Sequence, residues 1–235
     1  MKMEAAKNES AMVAENARLR GDLLTIASRI SHDLRTPLGA IITSTEVLRE
    51  ILVEQKIPTT LADGIIASVD DMTRLIKQIN VVIRATTNRL PKERVQMGEI
   101  VEMSLQRLER KIQEKKATIA RPDSWPQVNG VTAWLDVIWS SFLTNALQHS
   151  TKTPRIELSW REENGHYHFG ISDNGGGVPD LIRPGLFKPF DSLHKANGTR
   201  GLGLSIVQRL VDLQGGNCGY EPVPGGSYFF FSLPR

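Results

Sequence analysis

The sequence predicts an α+β fold, in which an antiparallel helical hairpin precedes an α/β sandwich. In the first third of the chain, apolar residues recur in steps of three and four, which is the period of a helix with one buried stripe. After about residue 95, short segments of alternating apolar and polar residues are interleaved with further helical segments. We therefore expect helices on one side of a mostly antiparallel sheet in this second part.

Length and composition limit the class of protein. The 235 residues can form one large or two small domains. A net charge of +3 without a block of like charges argues against a nucleic-acid partner. The single cysteine, Cys218, excludes an internal disulfide framework and fits a reducing compartment. No segment is apolar enough for a membrane span, so we expect a cytoplasmic protein.

The apolar pattern divides the chain into three parts. Residues 1–22 continue the heptad backwards, which predicts either a coiled-coil signalling helix connected to an upstream sensor domain or partner, or a frayed, partly helical lead-in. Residues 23–90 contain two amphipathic helices with a turn near Pro58, and the stripe of the second helix is predicted at Leu61, Ile65, Ser68, Met72, Leu75, Ile79 and Val82. Two such helices cannot close a core alone, whereas two hairpins form a four-helix bundle, so we predict a homodimer. A linker over 87–94 leads to the second domain, 95–235.

Periodicity places three helices and five strands in the second domain. The helices are predicted around 100–112, 131–148 and 204–213, and the strands at 117–120, 155–160, 167–172, 217–221 and 227–233. Asn164-Gly165 predicts a tight turn between the second and third of these strands. A second hairpin is expected around residues 222–226.

A polar run interrupts the stripe of the first helix. The run is Ser31-His32-Asp33-Leu34-Arg35-Thr36-Pro37-Leu38. Pro37 removes a backbone donor and is expected to bend the helix just after the histidine. A histidine on a helix is usually a surface or packing residue, so His32 alone does not establish a function. An imidazole with a carboxylate beside it is nevertheless a suitable nucleophile.

Three further motifs lie in the second domain. Asp173-Asn174-Gly175-Gly176-Gly177 follows a strand, and Gly201-Leu202-Gly203-Leu204 opens a helix whose free backbone donors can hold phosphate oxygens. Neither segment is a P-loop or a Rossmann fingerprint. On the helix 131–148, one polar face is formed by Ser141, Asn145 and Gln148, and the opposite face, predicted to be buried, is formed by Leu135, Ile138, Phe142 and Ala146. The amide oxygen of Asn145 suits a hydrated Mg²⁺.

Together these motifs resemble those of sensor histidine kinases from two-component systems. The run around His32 resembles the H box of the HisKA dimerisation and phosphoacceptor domain. Four further segments resemble the N, G1, F and G2 boxes of the HATPase_c domain. In that order, they are residues 142–149, 173–179, 186–190 and 198–204. This ATP-binding domain belongs to the GHKL superfamily, with Hsp90, gyrase and MutL. The resemblance covers about residues 25 to 235.

The resemblance implies a phosphotransfer reaction. His32 would take the γ-phosphate of ATP and pass it to an aspartate on a response regulator receiver domain. Asp33 would orient the imidazole and accept its other proton. Thr36 would orient water for dephosphorylating the regulator, with helix packing or capping as the equally weighted alternative.

The resemblance also implies a site for ATP and Mg²⁺. Asp173 would accept a hydrogen bond from the adenine amino group, while Gly175 and Gly177 would let the backbone approach the base. Asn145 would ligate Mg²⁺, and residues 180–200 would form a lid over the phosphates. The remaining implied contacts border the adenine or belong to the lid: His149, Phe187, Phe190, Arg200, Gly201, Leu202, Gly203 and Leu204.

Two positions depart from the family pattern. The family usually has a second asparagine where Ser141 stands, and often a lysine or arginine where Gln148 stands. Both changes could weaken the hold on Mg²⁺-ATP. Two alternatives therefore stay open: a degenerate kinase acting as a dimeric receiver-binding scaffold, and a chaperone or repair ATPase of the same superfamily, which the H box disfavours. A nucleotide-binding measurement separates the scaffold from the enzyme.

Overall fold

The structure is a computed structural model that describes residues 2–87, 90–150, 153–188 and 203–235. The chain divides into two compact units, Met1–Arg89 and Leu90–Arg235. The first is helical and the second combines helices with a sheet, so the predicted α+β class is confirmed. No described helix is both long enough and apolar enough to cross a membrane.

The first unit is an antiparallel pair of helices, α1 (Lys2–Glu54) and α2 (Thr60–Thr87). Contacts near both ends of the pair show the direction, because Arg49 Nε donates to Asp63 Oδ1 at 2.7 Å and Asn80 donates to Ser31. Helix α1 ends at Glu54, just before the turn predicted near Pro58. It runs without interruption through Pro37, so this residue does not end the helix.

A short, well-bonded turn reverses the chain between the two helices. Lys56 adopts a positive φ of 56°, and Ile57 N donates to Leu52 O at 2.9 Å. At the start of α2, Thr59 Oγ1 donates to Asp63 Oδ2 at 2.7 Å, while Asp63 N donates to Thr59 O at 2.9 Å. The turn predicted near Pro58 is therefore followed by a first helical turn in which Thr59 and Asp63 bond through both their backbones and their side chains.

The hairpin buries a narrow seam and leaves large apolar side chains outside it. The described buried residues are mostly small or polar: Ser31, Leu38, Thr45, Ala62, Val69, Gln78 and Ala85. The stripe predicted on α2 lies largely outside this seam, with Leu61 84% exposed, Ile65 44% and Ile79 41%. One chain by itself thus leaves an apolar helix face open to water.

The described residues of the second unit form three helices and two sheets. Its helices are α3 (Met97–Glu114), α4 (Thr132–His149) and α5 (Gly203–Asp212), with a short 3₁₀ turn at Arg183–Gly185. Its strands are β1 (Glu93–Gln96), β2 (Thr118–Ala120), β3 (Gln127–Gly130), β4 (Arg155–Glu163), β5 (His166–Asp173), β6 (Asn217–Val223) and β7 (Gly226–Pro234). The larger sheet has the order β2-β4-β5-β7-β6, and only β2 and β4 pair in parallel.

The predicted linker is wrong at both of its ends. Thr87 is the last residue of α2, and Glu93 already belongs to strand β1. Strand β1 pairs antiparallel with β3, which places Val95 opposite Val128, and both valines are buried. The sequence did not predict this small sheet, because two four-residue strands are too short for a period-two pattern to stand out.

Two tight turns close the hairpins of the main sheet. Asn164 and Gly165 have φ angles of 51° and 73°, and the strands continue from the pair Glu163 and His166. Two successive positive φ values are the signature of the turn that an Asn-Gly pair favours, so this hairpin is confirmed. The second turn is tighter than predicted, because β6 continues to Val223 before the chain returns at Gly226.

Helix α4 forms the centre of the core. The Trp139 ring packs edge-on against Phe231, with centroids 5.6 Å apart and planes at 82°. Phe142 contacts both Phe229 and Phe231. The face predicted to be buried is confirmed, since every one of its residues is buried: Leu135, Ile138, Phe142 and Ala146.

The lone cysteine belongs to this unit. Cys218 lies on β6, is buried, and donates its thiol hydrogen to Gln208 Oε1 at 3.3 Å. Burial raises the pKa of Cys218 to about 12, and the Asp212 carboxylate acts in the same direction. The thiol therefore stays protonated in the folded protein near neutral pH.

Candidate functional site

The first site lies on an exposed face of α1. His32 Nδ1 lies 3.2 Å from Asp33 Oδ1, and the two side chains are 79% and 77% exposed. A carboxylate accepts hydrogen bonds, so this contact assigns the ring hydrogen to Nδ1 and leaves the lone pair on Nε2. The geometry presents an unhindered nucleophilic nitrogen to solvent.

The helix around His32 is anchored on its other face. Ser31, the preceding residue, is buried and accepts a hydrogen bond from Asn80 of α2. Thr36 is exposed and lies four residues after His32, so the two side chains share a face of the helix. The backbone at His32 is thus anchored through its neighbour Ser31, while the His32 side chain is exposed.

The second site lies where β5 ends and the loop 174–179 begins. Asp173 is only 6% exposed, and its Oδ1 accepts a hydrogen bond from Gly175 N at 2.7 Å. Among the described residues, no other hydrogen bond reaches this carboxylate. One oxygen is therefore held by the loop, and the second remains as an acceptor for a ligand.

Both predicted loop glycines meet a backbone constraint. A Cβ atom on Gly175 would lie 2.6 Å from the carbonyl oxygen of His149, which is closer than side chains tolerate. Gly177 has a φ of 72°, a left-handed conformation that glycine adopts without strain. The loop can therefore approach the end of α4 only with glycine at 175, and its left-handed conformation at 177 favours glycine there.

The electrostatics of this site couple Asp173 to His149. Burial raises the pKa of Asp173, while the Gly175 N–H and His149 oppose that rise. Desolvation lowers the pKa of His149, the Asp173 carboxylate raises it, and Lys115 lowers it. His149 is consequently neutral near pH 7, and Asp173 carries its charge with little solvent around it.

Helix α4 brings a further polar row to this site. Asn145 is half-buried and stands one turn before His149, so both lie on one side of the helix. Ser141 precedes them by one turn but is buried, whereas Gln148 is exposed. The three polar positions that the sequence grouped together therefore have different environments.

Two residues that support this site were missed by the sequence analysis. Asn174 Oδ1 accepts from Arg155 N at 2.8 Å, and its Nδ2 donates to Thr153 O at 3.1 Å, which ties the loop to β4. Lys115 Nζ donates to Leu147 O at 2.6 Å at the end of α4. Asn174 directly follows Asp173, so its place in a loop motif was a usable signal, whereas Lys115 lies in a distant segment and offered none.

The remaining predicted residues lie in or beside the segment 183–204. Phe187 is half-buried, and Gly203 and Leu204 form the start of α5. The others lie outside the described residues: Phe190, Arg200, Gly201 and Leu202. Within the described parts of the chain, no group of three or more His, Cys, Asp or Glu side chains could hold a metal ion.

Two family models match the chain, one in each unit. Residues 22–88 match the His Kinase A (phospho-acceptor) domain, and residues 130–235 match the Histidine kinase-, DNA gyrase B-, and HSP90-like ATPase. The first match contains His32 and the second contains the Asp173 site. The chain belongs to the sensor histidine kinases of two-component systems.

Named relatives of this histidine kinase match nearly all of its length. The alginate biosynthesis sensor protein KinB of Pseudomonas aeruginosa is 27% identical over 214 residues, 88% of this chain and 36% of KinB. The signal transduction histidine-protein kinase/phosphatase MprB of Mycolicibacterium vanbaalenii is 28% identical over 225 residues, 92% of this chain and 46% of MprB. The chain thus spans less than half the length of either relative.

A solved structure shares the fold of this histidine kinase. Full-length ShkA, crystallised in complex with AMPPNP, superposes with a TM-score of 0.62 at 23% sequence identity. The match covers 88% of this chain and 45% of ShkA. It supports the fold, in agreement with the two family models.

We expect Asp173→Asn to leave the second unit at least as stable as wild type near neutral pH. Because burial raises the pKa of Asp173, the native state holds this proton more tightly than the unfolded chain does. The free energy of unfolding of the wild type therefore falls as pH rises from the unfolded pKa through the folded pKa. Asparagine removes this cost and keeps an oxygen for the Gly175 N–H.

Urea unfolding followed by tryptophan fluorescence measures this effect, because all four tryptophans lie in the second unit. The stability difference between wild type and Asp173→Asn is compared at about pH 4 and about pH 7. Asp123→Asn, a change at an exposed carboxylate of the same unit, is the control. A loss of more than about 1 kcal/mol at the higher pH would show instead that the native state needs the charge.

Proposed function

We propose that this chain is the catalytic core of a dimeric, cytoplasmic sensor histidine kinase. The second unit binds Mg²⁺-ATP, His32 accepts the γ-phosphate, and the phosphate passes to an aspartate on a response regulator receiver domain. The observation that carries this proposal is the exposed imidazole of His32, held at Nδ1 by Asp33, within the segment that matches the phosphoacceptor model. Residues 1–22 connect this core to an upstream sensor domain or partner.

The phosphoryl transfer uses the two nitrogens of His32 for different tasks. Nε2 forms a bond to the γ-phosphorus while the bond from that phosphorus to the bridging oxygen breaks, and ADP leaves. Asp33 holds the Nδ1 hydrogen and stabilises the positive charge that develops on the ring. Positioning and charge neutralisation carry most of the rate acceleration in such reactions.

Asp173 is the residue proposed to read the adenine. Its second carboxylate oxygen accepts a hydrogen bond from the exocyclic amino group, because Gly175 N already occupies the first oxygen. The glycine backbone at 175 and 177 gives the base room, and neutral His149 borders it without adding charge. Because the carboxylate is buried, its loss leaves the base without a compensating acceptor.

Asn145 is the proposed protein ligand of Mg²⁺. It is half-buried at the end of α4 and offers a neutral oxygen, which suits an ion held mainly by phosphates and water. The described residues contain no cluster of charged ligands, in keeping with a metal that arrives with its nucleotide. Mg²⁺ supplies neutralisation of the phosphate charge when bound.

The lid completes the proposed nucleotide site. Phe187 is a proposed anchor of this segment, and Gly203 with Leu204 begins the helix that follows it. The resemblance assigns the same segment four more residues, Phe190, Arg200, Gly201 and Leu202. We favour the active enzyme over the scaffold because the His32-Asp33 pair is intact and both named relatives are sensor or kinase proteins.

We expect His32→Gln to abolish phosphorylation while ATP binding persists. Glutamine keeps a polar side chain on α1 but has no ring nitrogen that can attack phosphorus. With γ-labelled ATP, the wild type should gain an acid-labile, alkali-stable label, as expected for a phosphoramidate. Asp33→Asn should slow labelling by about a hundredfold or more without abolishing it.

The control for this experiment separates binding from chemistry. Asp173→Asn should remain folded but lose both the label and affinity for a fluorescent ATP analogue. An acid-labile label on His32→Gln would assign the phosphate to another histidine. An unlabelled wild type that binds ATP would favour the scaffold.

A second activity, dephosphorylation of the regulator, is favoured by the position of Thr36. Its hydroxyl shares an exposed face with His32, and the relative MprB is named a kinase/phosphatase. We expect Thr36→Ala to leave His32 labelling within about twofold but to slow loss of phosphate from a receiver domain by about ten- to hundredfold. Equal decay rates for wild type and Thr36→Ala would assign the threonine to packing.

Dimerisation is proposed from the uncovered apolar face of the first unit. We expect Ile65→Glu to raise the dissociation constant of the dimer by at least about a hundredfold, because two copies each lose an apolar side chain at the interface. Ala67→Glu, which adds the same charge off the predicted stripe, should change it little. Sedimentation velocity over a range of concentrations measures both, and equal dissociation constants would contradict a dimer through this face.

A further inference from the structure

Two side chains that belong to no motif, those of Tyr220 and Arg183, bind the last part of the loop 174–179. Val178 N donates to the hydroxyl of Tyr220 at 3.0 Å, and Val178 O accepts from Arg183 Nε at 2.9 Å. Both hydrogen-bonding groups of one loop residue are therefore bound by side chains. Tyr220 comes from strand β6, 42 residues further along the chain.

The two side chains also contact each other. The guanidinium carbon of Arg183 lies 5.7 Å from the centroid of the Tyr220 ring, within the range of a cation–π contact. Arg183 Nη1 forms an ion pair with Asp180 Oδ1 at 2.6 Å, which fixes the other side of the guanidinium. Val178, Tyr220 and Arg183 thus form one connected cluster, here called the Tyr220–Arg183 clamp.

The clamp is built on the rigid core of the second unit. The Tyr220 ring packs against Phe229, with centroids 5.1 Å apart, and Phe229 in turn contacts Phe142 of α4 at 5.7 Å. Helix α4 is the element that carries Asn145 and His149. The last part of the loop is therefore held in place relative to α4, the helix that carries the proposed ligand contacts.

The clamp also lies where the loop meets the segment that leads to the lid. Arg183 is the first residue of the 3₁₀ turn Arg183–Gly185, and the half-buried Phe187 follows shortly after it. Gly177, the left-handed residue, directly precedes the clamped Val178, and the Tyr220 hydroxyl lies 3.8 Å from where a Cβ of Gly177 would stand. Each clamp contact therefore restrains the loop directly after Gly177.

We infer that Tyr220 and Arg183 are positioning residues that hold the loop 174–179 in its nucleotide-binding conformation before the nucleotide arrives. This inference rests on the proposed function, since it requires that Asp173 and the loop bind ATP. A loop that is already ordered loses less conformational freedom on binding, so the clamp raises affinity without touching the ligand. It does not act on His32, so it affects binding and not the rate of transfer at saturation.

Tyr220→Phe is the sharpest test, because it removes one oxygen atom and keeps the ring on Phe229. We expect the dissociation constant for ADP and the KM for ATP to rise two- to tenfold, with kcat at saturating ATP unchanged. Hydrogen exchange of the Val178 amide in the free protein should accelerate, while amides of β7 keep their protection. If Tyr220 had a purely structural role, Tyr220→Phe would change the thermal unfolding temperature without raising KM at unchanged kcat.

Tyr228→Phe is the matched control. Tyr228 lies on the neighbouring strand β7, is also half-buried, and its side chain interacts with Arg161 instead of with the loop. Tyr228→Phe also removes one hydroxyl group, but it should leave the nucleotide affinity unchanged. Arg183→Gln, on the more exposed side of the clamp, repeats the test if Tyr220→Phe does not fold, and should weaken binding similarly.

The outcomes separate the clamp from the proposed function. A wild-type chain that fails to bind ADP contradicts the proposed function itself. Wild-type binding with an equal dissociation constant for Tyr220→Phe overturns the clamp alone, as does equal weakening by Tyr228→Phe. In a double-mutant cycle, the effects of Tyr220→Phe and Arg183→Gln should be less than additive, because both act through Val178.

Discussion

The packing of α4 against the main sheet is the interaction on which the second unit depends. Trp139 and Phe142 contact the aromatic side chains of β7, while Ser104 and Arg107 of α3 bond to Asp136 on another face of the helix. The helix is therefore held from two sides. Strand β5 belongs to the sheet on which α4 packs, and the C-terminal end of α4 lies next to the C-terminal end of β5. His149 therefore lies beside Asp173.

The contact between the ends of α4 and β5 has an electrostatic consequence, because it leaves the carboxylate of Asp173 buried. Asp173 has little solvent around it, and the Gly175 N–H compensates only part of its desolvation. The site therefore carries an acceptor whose charge is only partly satisfied in the free protein. A ligand that brings a matching donor gains more from such a group than from a solvated one.

The sequence predicted the features that depend on local pattern. Helix periods in the first third, the Asn164-Gly165 turn and the buried face of α4 all follow from neighbouring residues, and the structure agrees with each. Spacing also identified a stripe on α2. It did not reveal whether that stripe faces α1, because α1 and a second copy of the chain would accept the same apolar pattern.

The features that sequence reasoning missed depend on contacts between distant segments. Strands β1 and β3 form because Val95 and Val128 share a buried position, which neither short segment indicates alone. The contact between Val178 and Tyr220 requires the register of β6 against β7, and the support of α4 by Lys115 requires the packing of α3. The site motifs were recognisable as motifs, but their supporting residues belong to no motif.

The buried thiol of Cys218 makes the folded chain suitable for site-selective chemical labelling. Because burial raises its pKa to about 12, the thiol stays protonated near pH 7, and the side chain is shielded within β6. A maleimide or alkylating reagent should therefore leave the native sulfur unmodified. A cysteine introduced on an exposed face of either unit would be the one reactive thiol, so a spectroscopic reporter can be attached without first removing the natural residue.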